Sequence, residues 1–117
     1  MDDVVIYHNP RCSKSRQALQ LLQSRGIEPA VVLYLQQPPD AGQLRALLAK
    51  LGIGARALLR KGEDVYRELD LANEALSEAA LIDAMCAHPQ LIERPIVVRG
   101  ARAVLGRPPE NVLELCD

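Results

Sequence analysis

Val4-Val5-Ile6-Tyr7-His8-Asn9-Pro10-Arg11-Cys12-Ser13-Lys14-Ser15-Arg16 passes from a short β-rich run, through a proline-bearing break, into a helix start. Ala18, Leu19 and Leu22 continue it at helical spacing until Gly26. Ala30-Val31-Val32-Leu33-Tyr34 is then continuous and β-branched, the pattern of a strand covered on both faces by helices. The first 34 residues are therefore predicted to form a β-α-β unit, with Cys12 where loop becomes helix.

Beyond this unit Pro38-Pro39 breaks the chain, and Asp40 can cap a helix carrying Leu44, Leu47, Leu48 and Leu51 at i, i+3, i+4 and i+7 before Gly52. Further short helices are expected over Arg56–Arg60, Val65–Leu69 and Ser77–His88, the last burying Leu81, Ile82 and Met85. After Pro95, Ile96-Val97-Val98 and Ala103-Val104-Leu105-Gly106 flank the turn-like Arg99-Gly100-Ala101-Arg102 and read as a β-hairpin. Pro108-Pro109-Glu110 opens a last helix with Val112, Leu113 and Leu115 for packing. The order is β-α-β, helices, β-β-α.

At 117 residues, 49% hydrophobic and 25% charged, the chain is expected to be a single globular domain that needs no disulfide or metal to hold its core. A formal charge of -1 leaves no global positive field for nucleic acid, and three tyrosines with no Phe or Trp leave few bases to stack on. No apolar run approaches the ~20 residues of a membrane span. The start Met1-Asp2-Asp3 is acidic where a signal peptide needs positive charge, so a cytoplasmic location is expected.

Cys12, Cys86 and Cys116 do not form a disulfide framework. Unsatisfied N–H groups at a helix start favour thiolate over thiol. Arg11, Lys14 and Arg16 surround Cys12 in sequence, while no acid is nearer than Asp3. Cys12 is the candidate nucleophile, with His8 a further source of positive charge and Ser15 a hydrogen-bond donor to the thiolate. Because Ser15 stands where a Cys-x-x-Cys pair would place its second thiol, Cys12 cannot resolve itself within its own motif. Cys86, inside an apolar helix, reads as a core residue.

No metal site is expected: His8, Cys12, Cys86 and His88 are potential zinc ligands, but residues i and i+2 of a helix point apart. Scattered glycines give no phosphate loop, and no nucleotide cofactor is indicated. Arg60, Arg94, Arg99, Arg102 and Arg107 supply the planar forks that a tetrahedral oxyanion accepts. Arg94 and Arg107 each precede a proline that stiffens them toward extended geometry.

Ile6 to Arg16 closely resembles the active-site segment of the glutaredoxin-coupled arsenate reductases, the ArsC family. Ala55-Arg56-Ala57-Leu58-Leu59-Arg60, Glu93-Arg94-Pro95-Ile96-Val97-Val98 and Gly106-Arg107-Pro108-Pro109 extend the resemblance over nearly the whole chain. It implies an α/β, thioredoxin-like fold spanning 1–117, with a mixed four-stranded sheet and a helical insertion at about 39–90. Carried over, Cys12 is the nucleophile, His8 and Ser15 tune and hold its thiolate, Arg60, Arg94 and Arg107 bind the oxyanion, and Pro95 is a structural cis-proline. The implied co-substrate is glutathione, the implied partner glutaredoxin, and no bound cofactor is implied.

In its length the chain is most similar to a short, housekeeping branch of the family. Two alternatives follow from the same resemblance. One is a glutathione-dependent thiol oxidoreductase that needs only Cys12 and the fold. The other is a non-enzymatic regulator like the Spx group, which binds RNA polymerase and uses the Cys-x-x-Cys switch that Ser15 interrupts.

Overall fold

The computed structural model describes residues 3–116; the first two residues of the acidic start lie outside them. The chain packs as two compact units, one of residues up to Gln37 together with those from Arg94 onward, the other Pro38–Glu93.

The first unit holds a four-stranded sheet, with β1 (Val4–Tyr7), β2 (Ala30–Val32), β3 (Ile96–Arg99) and β4 (Arg102–Leu105) in the order β2-β1-β3-β4. β1 runs parallel to β2, with Val5 opposite Ala30, and antiparallel to β3, with Ile6 opposite Val97. Helix α1 (Ser13–Ser24) supplies the crossover between β1 and β2. Val4, Ile6, Ala18, Leu22, Val97, Val112 and Leu115 form the core between the sheet, α1 and the terminal segment. Each large side chain fully buried there contributes about 1.5–3 kcal/mol.

Strand β2 departs from expectation. It lies at the sheet edge, Ala30 is exposed, Val31 is 47% exposed and Val32 is half-buried, so the strand is not covered on both faces as the apolar run suggested. It also ends at Val32, because the N–H groups of Gln36 and Gln37 both turn back to the Leu33 carbonyl. The β3–β4 hairpin forms as read, with Arg99 paired to Arg102 and Gly100 at φ +62, the first-position glycine that a two-residue loop favours. The last segment, Pro109–Leu115, is a 3-10 helix. Asn111 ties it down through Nδ2–H bonds to the carbonyls of Leu105 and Arg107, and the Arg99 guanidinium donates to the Leu115 carbonyl.

The second unit is helical: α2 (Ala41–Leu51), α3 (Ala55–Leu58), α4 (Asp64–Glu68) and α5 (Glu78–Ala87), with a 3-10 turn at Pro89–Leu91. Asp40 caps α2 in a full capping box with Gln43, Ser77 caps α5 by accepting from the Ala80 N–H, and Gly52 ends α2 at φ +71. α3 stops short of Arg60 because Leu59 leaves to bridge Ile92 and the Arg60 N–H donates to the Leu91 carbonyl. Among the described residues no helix is long and apolar enough to cross a membrane.

Candidate active site

Cys12 occupies the N-cap position of α1, with no acidic residue in the first turn. Its own N–H donates to the Asn9 carbonyl (3.0 Å) and its carbonyl accepts from Arg16 N–H (3.0 Å), so the backbone on both sides of the thiol is fixed. No side-chain bond of ordinary capping geometry closes this helix end. Burial pushes the Cys12 thiol up. The N–H groups of Ser15 and Lys14 and the Arg94 guanidinium, all facing the sulfur, outweigh that and hold it below an ordinary thiol.

Arg94 and Arg107, just before β3 and just after β4, are brought to the same end of the sheet as the end of β1. The peptide bonds Arg94–Pro95 and Arg107–Pro108 are both cis. The first was expected from the family resemblance, and the second was missed, since an X-Pro pair does not reveal its isomer. Arg107 Nη1 donates to the Arg94 carbonyl at 3.1 Å and lies 3.9 Å from Cys12 Sγ. Gly106 lets the chain before Arg107 lie close against Pro95 and α1: a Cβ there would fall 2.7 Å from Pro95 Cγ and 3.3 Å from Ala18 Cβ. Cys12, Arg94 and Arg107 thus come together at one end of the sheet.

Ser15 is fully buried, and its hydroxyl does not serve the thiolate as the sequence suggested. Oγ accepts from Asn9 N–H (3.1 Å) and pairs with His8 Nδ1 (2.6 Å). The interaction with sulfur comes from the Ser15 backbone N–H instead. His8 is 6% exposed; burial, and secondarily the Arg16 charge, lower its pKa and keep the ring neutral, so it adds no positive charge beside Cys12. Asn9, buried and not singled out by the sequence, organises the loop: its N–H donates to Ser15 Oγ, its carbonyl accepts from Cys12 N–H, and its Oδ1 accepts from Arg11 N–H. An asparagine before a proline in a loop was the signal available for it.

Arg60 belongs to the second unit and is engaged by two carboxylates, Glu93 through Nη1 and Glu63 through Nε at 3.5 Å. Arg99 holds the terminal segment. Cys86 and Cys116 are half-buried free thiols. Burial first, then the Asp83 and Asp40 charges, push Cys86 up. Among the described residues no cluster of three or more His, Cys, Asp or Glu side chains is placed to hold a metal ion.

Residues 7–115 match the sequence model of the ArsC family. The uncharacterized protein YfgD of Escherichia coli (strain K12) is 60% identical over 113 residues, which is 96% of this chain and 95% of that protein. An arsenate reductase of Neisseria meningitidis serogroup A is 50% identical over 96% of this chain and 97% of its own. Among solved structures, the arsenate reductase from Vibrio cholerae superposes with a TM-score of 0.94 at 52% identity, covering 97% of each chain.

Proposed function

This chain belongs to the ArsC family, and from that premise we propose that it is an arsenate reductase-like oxidoreductase with Cys12 as its nucleophile. The observation that carries the reading is a thiol held below its ordinary pKa at a helix start, with the Arg94 and Arg107 guanidiniums beside it. A thiolate is needed for attack, and forked cations are needed for an oxyanion whose charge must be offset while a bond forms to it. The oxyanion role is assigned first to Arg94 and Arg107, which lie beside the sulfur, and Arg60, paired with Glu93 and Glu63 in the second unit, is a further candidate for it.

In this scheme Cys12 Sγ attacks arsenic, forming an S–As bond as one protonated oxygen leaves as water. Glutathione displaces a second oxygen as water, leaving arsenic(V) bound to both sulfurs. A glutaredoxin thiolate then attacks the glutathione sulfur. The electron pair of that S–As bond stays on arsenic, which becomes arsenic(III), while glutathione leaves as a mixed disulfide with glutaredoxin. Water cleaves the remaining S–As bond, restoring Cys12 and releasing arsenite. Outside help is required because Ser15 stands where a resolving thiol would be, which also disfavours a Cys-x-x-Cys regulatory switch.

The test is arsenate-dependent NADPH oxidation with glutathione, glutaredoxin and glutathione reductase, comparing the wild type with Cys12→Ser. Turnover that needs arsenate and vanishes in the variant supports the reading. Absence of arsenate turnover while Cys12 still becomes glutathionylated would replace it with a thiol oxidoreductase.

A further inference from the structure

On the β2 side of the catalytic loop, within the first unit, lies a cavity of about 220 Å³ lined by His8, Asn9, Pro10, Arg11, Leu33, Leu35 and Gln36. The arginines beside Cys12 Sγ enter from the β3 side of β1, so the cavity and the oxyanion groups flank the loop from opposite directions. The tautomer of His8 decides what the cavity can bind. Ser15 Oγ already accepts from Asn9 N–H, and its own proton has no acceptor other than His8 Nδ1 among the described residues. Ser15 is fully buried, where an unspent hydroxyl proton is costly. The hydroxyl therefore donates to Nδ1, and the proton of the neutral ring sits on Nε2.

That Nε2–H has no hydrogen-bond partner among the described residues, and it is not among the chain's sealed polar atoms. His8 is buried to 6% exposure and lines this cavity, so its remaining ring donor is the polar group it can offer there. Arg11 adds a full positive charge, Gln36 an amide, and Leu33 and Leu35 apolar walls. A donor and a cation over an apolar floor suit a carboxylate-bearing, peptide-like molecule.

We propose that this cavity seats the carboxylate end of the thiol peptide that attacks the Cys12 adduct, a ligand of the glutathione class. The inference rests on the reductase reading above, and deepens it by assigning the second substrate a place of its own. The volume suits part of a tripeptide rather than all of it. Pro10 and Arg11 lead directly into Cys12, and a tripeptide spans at most about 10 Å, so a ligand anchored here can present its sulfur to an adduct on Cys12 while Arg94 and Arg107 hold the oxyanion.

Two measurements test this. S-methylglutathione, which cannot react, is titrated into the ¹⁵N-labelled protein, with shifts expected at the amides of His8, Asn9, Arg11 and Leu33 to Gln36. Shifts centred elsewhere, or none, overturn the proposal. In the coupled assay, Leu35→Glu, which brings a negative charge to the wall, should raise KM for glutathione about tenfold with KM for arsenate unchanged. An unchanged KM for glutathione in a normally folded variant overturns it as well. Cavity shifts in a protein without arsenate turnover would sink the reductase reading and leave the cavity assignment standing; normal turnover with a silent cavity would do the reverse.

Discussion

Cys12 and Cys86 are the same side chain at opposite ends of two helices. Cys12 precedes the first turn of α1, where N–H groups and Arg94 face it, and its pKa falls despite a burial penalty. Cys86 stands in the last turn of α5, where Asp83 and Asp40 add to the effect of burial, and its pKa rises. Both thiols are half-buried, so exposure does not separate them. Helix end and neighbouring charge do, and they place the reactive thiol in the first unit.

The comparison breaks most severely at the thiol itself. Cys12→Ser should abolish arsenate turnover, a loss on the order of 10³-fold or more, whereas Cys86→Ser should leave kcat/KM unchanged in the same coupled assay. Next come the guanidiniums: Arg94→Ala and Arg107→Ala are each expected to lower kcat/KM for arsenate about 10- to 100-fold. Arg94→Ala should also raise the pH at which Cys12 is alkylated at half-maximal rate, without moving Cys86. An arginine variant whose kcat and KM for arsenate both stay at the wild-type values would place these groups outside the oxyanion's reach.

Ser15→Ala sharpens the assignment of its hydroxyl. It leaves buried His8 Nδ1 and Asn9 N–H without their partner, so urea unfolding should show a loss of about 1–3 kcal/mol. The thiolate should change little, because the backbone N–H that faces it remains. Asp40→Ala is the mildest. It removes the capping box of α2 at a cost of about 1 kcal/mol, and brings Cys86 closer to an ordinary thiol while Cys12 stays as it was.

The pH dependence of stability follows from the same contrast. Cys12, lowered in the folded chain, contributes stability that is present above the unfolded thiol's pKa and is lost as pH falls through its folded value. Cys86, raised, contributes stability that is present below the unfolded thiol's pKa and is lost as pH rises through its folded value.

Much of this was legible beforehand, for reasons that differ by element. Caps and stops are short-range chemistry, so Asp40, Ser77, Gly26 and Gly52 mark their helix ends directly. The place of Cys12 at the head of α1 follows from strand, proline break and helix spacing in immediate succession. By contrast, the exposure of β2 was hidden because a continuous apolar run looks alike at the centre and the edge of a sheet. The direction of the Ser15 hydroxyl was hidden too, since it is set by His8, seven residues away at the end of β1. The end of α3 depends on a bridge to Ile92, 33 residues beyond Leu59, which local periodicity does not see.

The most direct test is the ultraviolet absorbance of the thiolate against pH in the Cys86→Ser/Cys116→Ser protein, which leaves Cys12 as its single thiol. A midpoint below that of an ordinary thiol, moving upward in the Arg94→Ala background, is the result predicted. An ordinary or raised midpoint would contradict the claim that the head of α1 and its arginine neighbours hold Cys12 ready as a thiolate.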